Sequence, residues 1–204
     1  LHLSLRRQRQ MCIRDRLWSD LERGSEQDGV VFRETGNVSR GLSQASRIIT
    51  SEYRVPFISH SPLEPVNTTA HVMRDKVLII SPHQLQGILP GLVAEATGLR
   101  PDQVEVQTTF LGGGFGRKLG GDFVVQAVLI SQAVGAPVNL IWDREDDMTH
   151  DSFRPAALLK VNGGLDQKGA LTALEFKGNS PHISAYQFPI IVHEGVDPLS
   201  LIHI

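Results

Sequence analysis

The spacing of apolar positions in the first half of the chain predicts several short strands. Alternating residues predict a strand over Arg47–Val55, and a weaker apolar run predicts a short strand over Val30–Phe32. Two further runs, Thr68–Met73 and Lys76–Ser81, predict a hairpin that turns near Arg74. The second of these runs is apolar on both faces, which indicates a strand inside a sheet rather than at its edge.

Two segments have the apolar spacing of a helix. They cover Leu85–Thr97 and Asp122–Val134, and each is followed by a glycine, a common helix stop. Strands are predicted over Val104–Phe110 and Pro137–Trp142, on either side of the second helix. A strand, a helix and a strand at this spacing suggest a βαβ unit.

The last regular pattern consists of two strands, Ala157–Val161 and Ala170–Lys177, joined by a glycine-containing polar segment. Predicted strands outnumber predicted helices. We therefore predict an α+β or mixed α/β fold with mixed sheets and two or three helices. We expect this piece to have its core completed by residues outside it.

Composition and charge exclude some classes of protein. The 204 residues carry a net charge of −2, and no basic stripe runs through the body of the chain, which argues against a nucleic-acid-binding protein. No run approaches the roughly 18 apolar residues of a membrane helix, so we expect no membrane span.

Both ends of the chain match translated sequencing adapter. Arg6–Arg16 corresponds to one frame of a common transposase adapter, and Leu199–Ile204 corresponds to its reverse complement. We therefore predict that residues 1–16 are a disordered adapter-derived segment, that 199–204 is also adapter-derived, and that 17–198 is one domain fragment. The alternative, a basic arm that contacts nucleic acid or membrane, does not explain why both ends match.

Removing the adapter-derived segments changes the charge and the thiol content. The first segment holds five Arg and one Asp, so the remainder carries a net charge of −6. Cys12, the only cysteine of the chain, also lies there. The remainder then has no disulfide, no thiolate metal site and no cysteine nucleophile.

A glycine-rich loop, Leu111–Lys118, separates a predicted strand from a predicted helix. Its glycines leave the backbone N–H groups open to a close ligand, and a loop that precedes a helix suits an anionic, phosphate-bearing group. Phe115 would form an apolar wall, while Arg117 and Lys118 would supply positive charge. The alternative interpretation is a tight turn with no ligand.

Neither common nucleotide motif fits this loop. The dinucleotide motif G-x-G-x-x-G and the phosphate loop G-x-x-x-x-G-K-[ST] both require glycine at the position of Arg117. The phosphate loop also requires Ser or Thr where Leu119 stands. A phosphate-bearing cofactor would therefore be bound here by another scheme.

Three other segments carry polar groups with open interpretations. Pro56–Pro65, with a His and a Glu, is either a site-lining loop or a rigid surface connection, and its three prolines favour the connection. The carboxylates of Arg144–Met148 could hold a divalent metal, but adjacent carboxylates on a helix point apart, which favours a helix start or a solvated face. His150–Pro155 resembles a hydrolase triad by residue type alone.

Taken together, the motifs resemble one known family. Thr108–Lys118 is similar to the molybdopterin-binding glycine loop of the molybdenum hydroxylases, the xanthine dehydrogenase and aldehyde oxidase family. Ile141–Met148 resembles the strand and acidic run that follow it there, and Pro56–Pro65 and Ser81–Gln84 stand upstream in the family's order. His150–Ala156 is closest to the branch of the isoquinoline 1-oxidoreductase beta (large) subunit. The resemblance covers residues 53–180 and implies a partial molybdopterin-binding domain.

The resemblance implies an oxidoreductase that hydroxylates an N-heteroaromatic or aldehyde carbon, with water as the oxygen source. The implied cofactor is molybdenum–molybdopterin, in its cytosine dinucleotide form. Electrons would pass to iron–sulfur clusters on a small partner subunit, not on this chain, or to a cytochrome. We expect a small-molecule substrate and an electron-transfer partner, and we do not expect nucleic acid as a partner.

The resemblance also implies roles for individual residues. Gln84 would be the catalytic glutamine that hydrogen-bonds an oxygen of the cofactor, and no residue of the chain would ligate the metal. Phe115 and Gly116 would direct backbone N–H groups at cofactor oxygens. The full cofactor-binding set would be Gly112, Gly113, Gly114, Phe115, Gly116 and Arg117.

Two departures from the family pattern stand beside the site. His83 replaces the more frequent threonine before Gln84, and Arg117 replaces the glycine of xanthine dehydrogenases, which favours the isoquinoline branch. The family's catalytic glutamate and other cofactor loops would lie outside this chain, so we expect the fragment alone to be inactive and cofactor-free. Two alternatives remain: a non-catalytic domain of the same fold, and a phosphate- or nucleotide-binding module.

Overall fold

The structure, a computed structural model, describes residues 16–183. The predicted adapter-derived segments lie outside this range, apart from residue 16, which is helical. Two compact units divide the chain: a central unit, Ser59–Arg154, and a flanking unit formed by the residues before and after it. In chain order the helices and strands are α1 (16–26), α2 (Val38–Ser43), β1 (Arg47–Val55), β2 (Asn67–Val72), β3 (Val77–Ser81), α3 (Leu89–Thr97), β4 (Val104–Thr108), α4 (Asp122–Val134), β5 (Val138–Ile141), α5 (Arg144–Thr149), β6 (Ala157–Leu165) and β7 (Leu171–Asn179).

The flanking unit contains a three-stranded antiparallel sheet in the order β1-β6-β7. The strand predicted over Arg47–Val55 is confirmed. The last two strands are also confirmed, but both end later than predicted and β7 begins one residue later. Leu21, Ala156 and Leu158 form the small buried core of this unit. The strand predicted over Val30–Phe32 is wrong. These three residues are 56–72% exposed, and none of them belongs to a strand of the described chain.

The central unit contains a four-stranded mixed sheet in the order β4-β3-β2-β5. β2 and β3 form the predicted antiparallel hairpin, and β3 pairs with β4 in parallel. The predicted interior position of β3 is confirmed, because Val77 and Ile79 are completely buried. The α+β, mixed-sheet fold class is also confirmed, although the described residues form five α-helices, two of them only six residues long, rather than two or three.

Two helices supply the other half of the central core. Phe123 and Val124 of α4 and Val93 of α3 belong to the same buried cluster as Val77 and Ile79 of the sheet. α4 has the predicted bounds. α3 begins at Leu89, four residues later than predicted. A 3₁₀ turn, Gln86–Ile88, precedes α3. The second residue of α3 is Pro90, and proline is favoured at the first helical positions.

The predicted βαβ unit is confirmed in direction but not in adjacency. β4 and β5 run in the same direction, since β5 is antiparallel to β2, β2 is antiparallel to β3, and β3 is parallel to β4. They nevertheless form opposite edges of the sheet. The neighbouring parallel strands are β3 and β4, which α3 connects.

Candidate functional site

The glycine-rich loop leaves β4 and folds into a 3₁₀ turn, Arg117–Leu119, before α4 begins. Gly113 and Gly116 have φ angles of 91° and 103°, a region that side-chain-bearing residues rarely adopt. Phe115, with φ 53°, adopts the left-handed region despite its side chain, which is mostly exposed. Strained backbone of this kind concentrates at ligand sites.

Three consecutive N–H groups of this loop lack an acceptor. Among residues 16–183, no oxygen accepts from the backbone nitrogens of Gly113, Gly114 or Phe115. Gly114 is buried, and buried backbone N–H groups are almost always paired. Three adjacent donors without partners fit a ligand with several acceptor oxygens.

Gln84 lies directly against this loop. Its Oε1 accepts a hydrogen bond from the Gly116 N–H at 3.0 Å, and its own backbone N–H donates to the carbonyl of Lys118 at 2.9 Å. A Cβ atom on Gly114 would lie 2.4 Å from Gln84 Oε1, so only glycine permits this approach. The structure therefore brings together the glutamine and the loop that the sequence singled out, but the Gly116 N–H is occupied by Gln84.

Glu64 fastens the two ends of the loop to each other. Its Oε2 accepts from the Gly112 N–H at 2.8 Å and from Lys118 Nζ at 2.6 Å. Lys118 is completely buried. Burial raises the pKa of Glu64, but the hydrogen bonds from Lys118 and Gly112 outweigh it and hold that pKa below its ordinary value. Pro56–Pro65 is therefore more than the surface connection that its prolines favoured, because its Glu64 contacts both ends of the glycine-rich loop.

Arg117 points into the protein. Its Nη1 and Nη2 donate to the two carboxylate oxygens of Asp122 at 2.8 and 2.7 Å, and its Nε lies 3.4 Å from Asp151 Oδ1. The guanidinium also lies over the rings of Phe123 and Trp142. Burial lowers the pKa of Arg117, but the carboxylates outweigh this effect and raise it.

The expectation that Arg117 and Lys118 present positive charge beside the loop is therefore wrong. Both side chains are at most 1% exposed, and each is neutralised by a carboxylate inside the central unit. Burying a charge without a partner is costly, so these cations pair internally and stabilise the loop's conformation.

Asp151 collects three hydrogen bonds from one short segment. It accepts from Ser59 Oγ at 2.8 Å, from the His60 N–H at 2.5 Å, and from the His60 imidazole, whose Nδ1 lies 2.9 Å away. Burial raises the pKa of Asp151, but these bonds outweigh it and lower the pKa. Asp151 pairs with His60 rather than with His150, whose Nδ1 lies by Thr149 and the Asp146 carbonyl, so the triad suggested by residue type in His150–Pro155 does not form.

His83 joins the end of β3 to the far end of the loop. Its Nε2 lies 3.0 Å from the Gly120 carbonyl, and its Nδ1 accepts from the Leu85 N–H, which assigns the proton to Nε2. Burial lowers the pKa of His83 and keeps the ring neutral. This residue fixes the chain on both sides of Gln84.

The acidic run forms a helix start, as the sequence favoured. Asp143 caps α5 by accepting from the Asp146 N–H, and Asp147 is buried against Arg144. Within the described residues, no group of three His, Cys, Asp or Glu side chains could hold a metal ion. No helix in the same range is long and apolar enough to cross a membrane.

Sequence reasoning missed three side chains around the loop: Glu64 and Asp151, which contact it through Gly112, Lys118 and Arg117, and His60, which pairs with Asp151. The available signal was weak. A histidine and a glutamate stand in one proline-rich segment, and nothing in their spacing relates them to residues about 50 to 90 positions away.

The comparison with known families decides the relationship. A model described as the molybdopterin cofactor-binding domain matches residues 23–192, which include the glycine-rich loop and Gln84. The chain belongs to the molybdopterin cofactor-binding domain family. The resemblance inferred from the motifs is thereby confirmed, and the relatives of this domain are oxidoreductases, among them the xanthine dehydrogenase molybdenum-binding subunit of Escherichia coli O157:H7.

Individual relatives agree at moderate identity. The chain is 30% identical over 168 residues to a membrane-bound aldehyde dehydrogenase of Gluconacetobacter polyoxogenes, whose name gives pyrroloquinoline quinone, covering 82% of this chain and 22% of that protein. It is 29% identical over 133 residues to isoquinoline 1-oxidoreductase subunit beta of Brevundimonas diminuta, covering 60% and 16%. These similar identities do not single out a branch.

A solved structure shows the same fold. Aldehyde oxidoreductase from Desulfovibrio gigas superposes with a TM-score of 0.61 at 25% identity, over 72% of this chain and 16% of that one. The chain thus spans about a fifth or less of the length of the relatives it matches.

Proposed function

We propose that the chain is part of the large subunit of a molybdenum-cofactor hydroxylase that oxidises an N-heteroaromatic or aldehyde carbon with water as the oxygen source. The family supports the cofactor class, and the names of the relatives, an aldehyde dehydrogenase and an isoquinoline oxidoreductase, support the substrate class. The cytosine dinucleotide form of the cofactor, and electron transfer to a small iron–sulfur subunit or a cytochrome, belong to the same proposal.

The proposed cofactor site is the open face of the glycine-rich loop with Gln84. The observation that carries this proposal is the row of three N–H groups, Gly113 to Phe115, that have no acceptor within the described chain. A molybdenum–pterin cofactor is rich in acceptor oxygens, so the donor set fits it. When bound, this cofactor supplies the two-electron redox chemistry.

The chain's own residues would bind and orient the cofactor. Because Gln84 Oε1 is engaged by Gly116, its Nε2 group keeps its hydrogen atoms free to donate to a cofactor oxygen. The loop N–H groups are fixed before binding, and fixed donors stabilise developing negative charge without reorganising. Gly112, Gly116 and Arg117 would contribute by shaping the loop, since their polar groups are used internally.

The test is the cofactor content of the complete protein around this segment. We expect molybdenum and pterin in equal amounts, and we expect Gly114→Ala to retain less of both, because the added Cβ would displace the Gln84 side chain from the Gly116 N–H. Gly87→Ala is the matched control, because a Cβ there meets nothing within 4 Å. Full cofactor content in Gly114→Ala, or a quinone in place of the pterin, would contradict the proposal.

A phosphate-binding module remains a second candidate, because the same three N–H groups would also suit a phosphate. If the loop is a phosphate-binding module, the complete protein should bind a nucleotide with micromolar affinity. Calorimetry with ATP and GTP that shows no heat of binding would remove it.

A further inference from the structure

His60 combines deep burial with an incomplete set of hydrogen bonds. Its side chain is only 10% exposed, and its Nδ1 lies 2.9 and 3.1 Å from the two carboxylate oxygens of Asp151. Asp151 is 1% exposed at its side chain, and its lowered pKa keeps it ionised. Because an ionised carboxylate only accepts, the ring must carry a proton on Nδ1.

The proton on Nδ1 determines what the other ring nitrogen can do. In the neutral ring Nε2 is an acceptor, and no donor among residues 16–183 reaches it. It faces the glycine-rich loop, since a Cβ on Gly116 would lie 3.6 Å from it. Within the described residues, Nε2 is not one of the buried side-chain atoms that lack a partner, so it is accessible to a molecule that lies against the loop.

We propose that His60 is a ligand-binding residue, whose Nε2 accepts a hydrogen bond from an N–H or O–H donor of the molecule held against the glycine-rich loop. This inference rests on the proposed function, because it places the ligand in the same site. The loop N–H groups require acceptor oxygens on the ligand, and His60 requires a donor beside them. A pterin carries both, in its amide and amino groups.

Two substitutions separate the roles of the two ring nitrogens. His60→Asn places an amide near the position of Nδ1, so it keeps a bond to Asp151 but loses the outer acceptor. His60→Gln places an amide oxygen near the position of Nε2 and keeps that acceptor. Ser59→Ala is the control, because it removes one hydrogen bond to Asp151 without changing the imidazole.

The experiment measures molybdenum and pterin per molecule of the complete protein after extended dialysis, with thermal unfolding recorded for each variant. Loss of one hydrogen bond to the ligand is expected to weaken retention about tenfold in His60→Asn. His60→Gln and Ser59→Ala are expected to retain cofactor at close to the wild-type level.

The outcomes distinguish this inference from the proposed function. A wild-type protein without pterin and molybdenum would overturn both. A wild-type protein with full cofactor, together with His60→Asn that retains it equally well, would overturn the role of His60 alone. Equal losses in all three variants, accompanied by lower unfolding temperatures, would show a purely structural role and would also overturn it.

Discussion

At the scale of single residues, the conformation of the glycine-rich loop depends on two buried cations, Lys118 and Arg117, that pair with partly exposed carboxylates. Glu64 and Lys118 are 54 positions apart, yet their 2.6 Å contact joins the loop's two ends through the Gly112 N–H. Burial of an ion pair gives little net stability, but removal of one partner leaves a costly unpaired charge. Glu64 is therefore the residue whose substitution should change the loop most.

Replacing Glu64 should destabilise the chain. Glu64→Ala leaves the completely buried Lys118 unpaired, and we expect the free energy of unfolding to fall by about 3 kcal/mol. Glu64→Gln keeps an acceptor and should lose less. Urea unfolding of the chain measures both, with the exposed Glu95→Ala as a control expected to change by about 0.5 kcal/mol or less. Equal midpoints for Glu64→Ala and the control would contradict this role.

Acidification should destabilise the chain in two steps. The pKa of His83 lies below its ordinary 6.5, so the unfolded chain takes up a proton first, and the stability that His83 contributes is lost as the pH falls below 6.5. The lowered pKa values of Glu64 and Asp151 contribute stability that is lost only as the pH falls below about 4.5. Urea midpoints across this range measure both steps.

His83→Gln provides the control for the first step. This variant should show a flat midpoint between about pH 7 and 5 while it keeps the second step. The same slope in wild type and variant over that interval would show that His83 is not the group responsible.

At the scale of helices and strands, periodicity predicted what is local. The bounds of α4 and the interior position of β3 followed from apolar spacing, because each pattern reports directly which face is buried. β4 ends at Thr108 rather than at Phe110, whose side chain is completely exposed. The order of the strands could not be predicted, because pairing depends on contacts between residues far apart in sequence.

The interior position of β3 can be tested with two isoleucines in the same sheet. Ile79→Ala should lower the free energy of unfolding by about 2–5 kcal/mol, because it opens a cavity in the core. Ile141→Ala in the edge strand β5, where the side chain is 64% exposed, should cost far less. Chemical denaturation distinguishes them, and comparable losses would place β3 at the surface.

At the scale of the whole molecule, the chain is two units with separate cores, and the candidate site lies within the central one. The family and fold class were predictable from ordered motifs. The division into units was not, because β1 pairs with β6 across about a hundred residues that contain the entire central unit. The open N–H groups at the loop likewise required coordinates.

The 204-residue chain alone should not retain the cofactor. The chain spans about a fifth or less of the length of its relatives. The glycine-rich loop offers one row of N–H donors, so we expect the complete protein to supply most of the other contacts to a bound cofactor. Elemental analysis of the purified chain should find no bound molybdenum. Stoichiometric metal would show that the central unit alone forms the site.

We propose that the glycine-rich loop and Gln84 contact the molybdenum–pterin cofactor. Anomalous diffraction at the molybdenum edge, from crystals of the complete protein, tests it most directly. We expect a molybdenum peak beside the loop, with cofactor oxygens within hydrogen-bonding distance of the N–H groups of Gly113, Gly114 or Phe115. A molybdenum peak remote from the loop, with these N–H groups bonded to another segment of the protein, would contradict it.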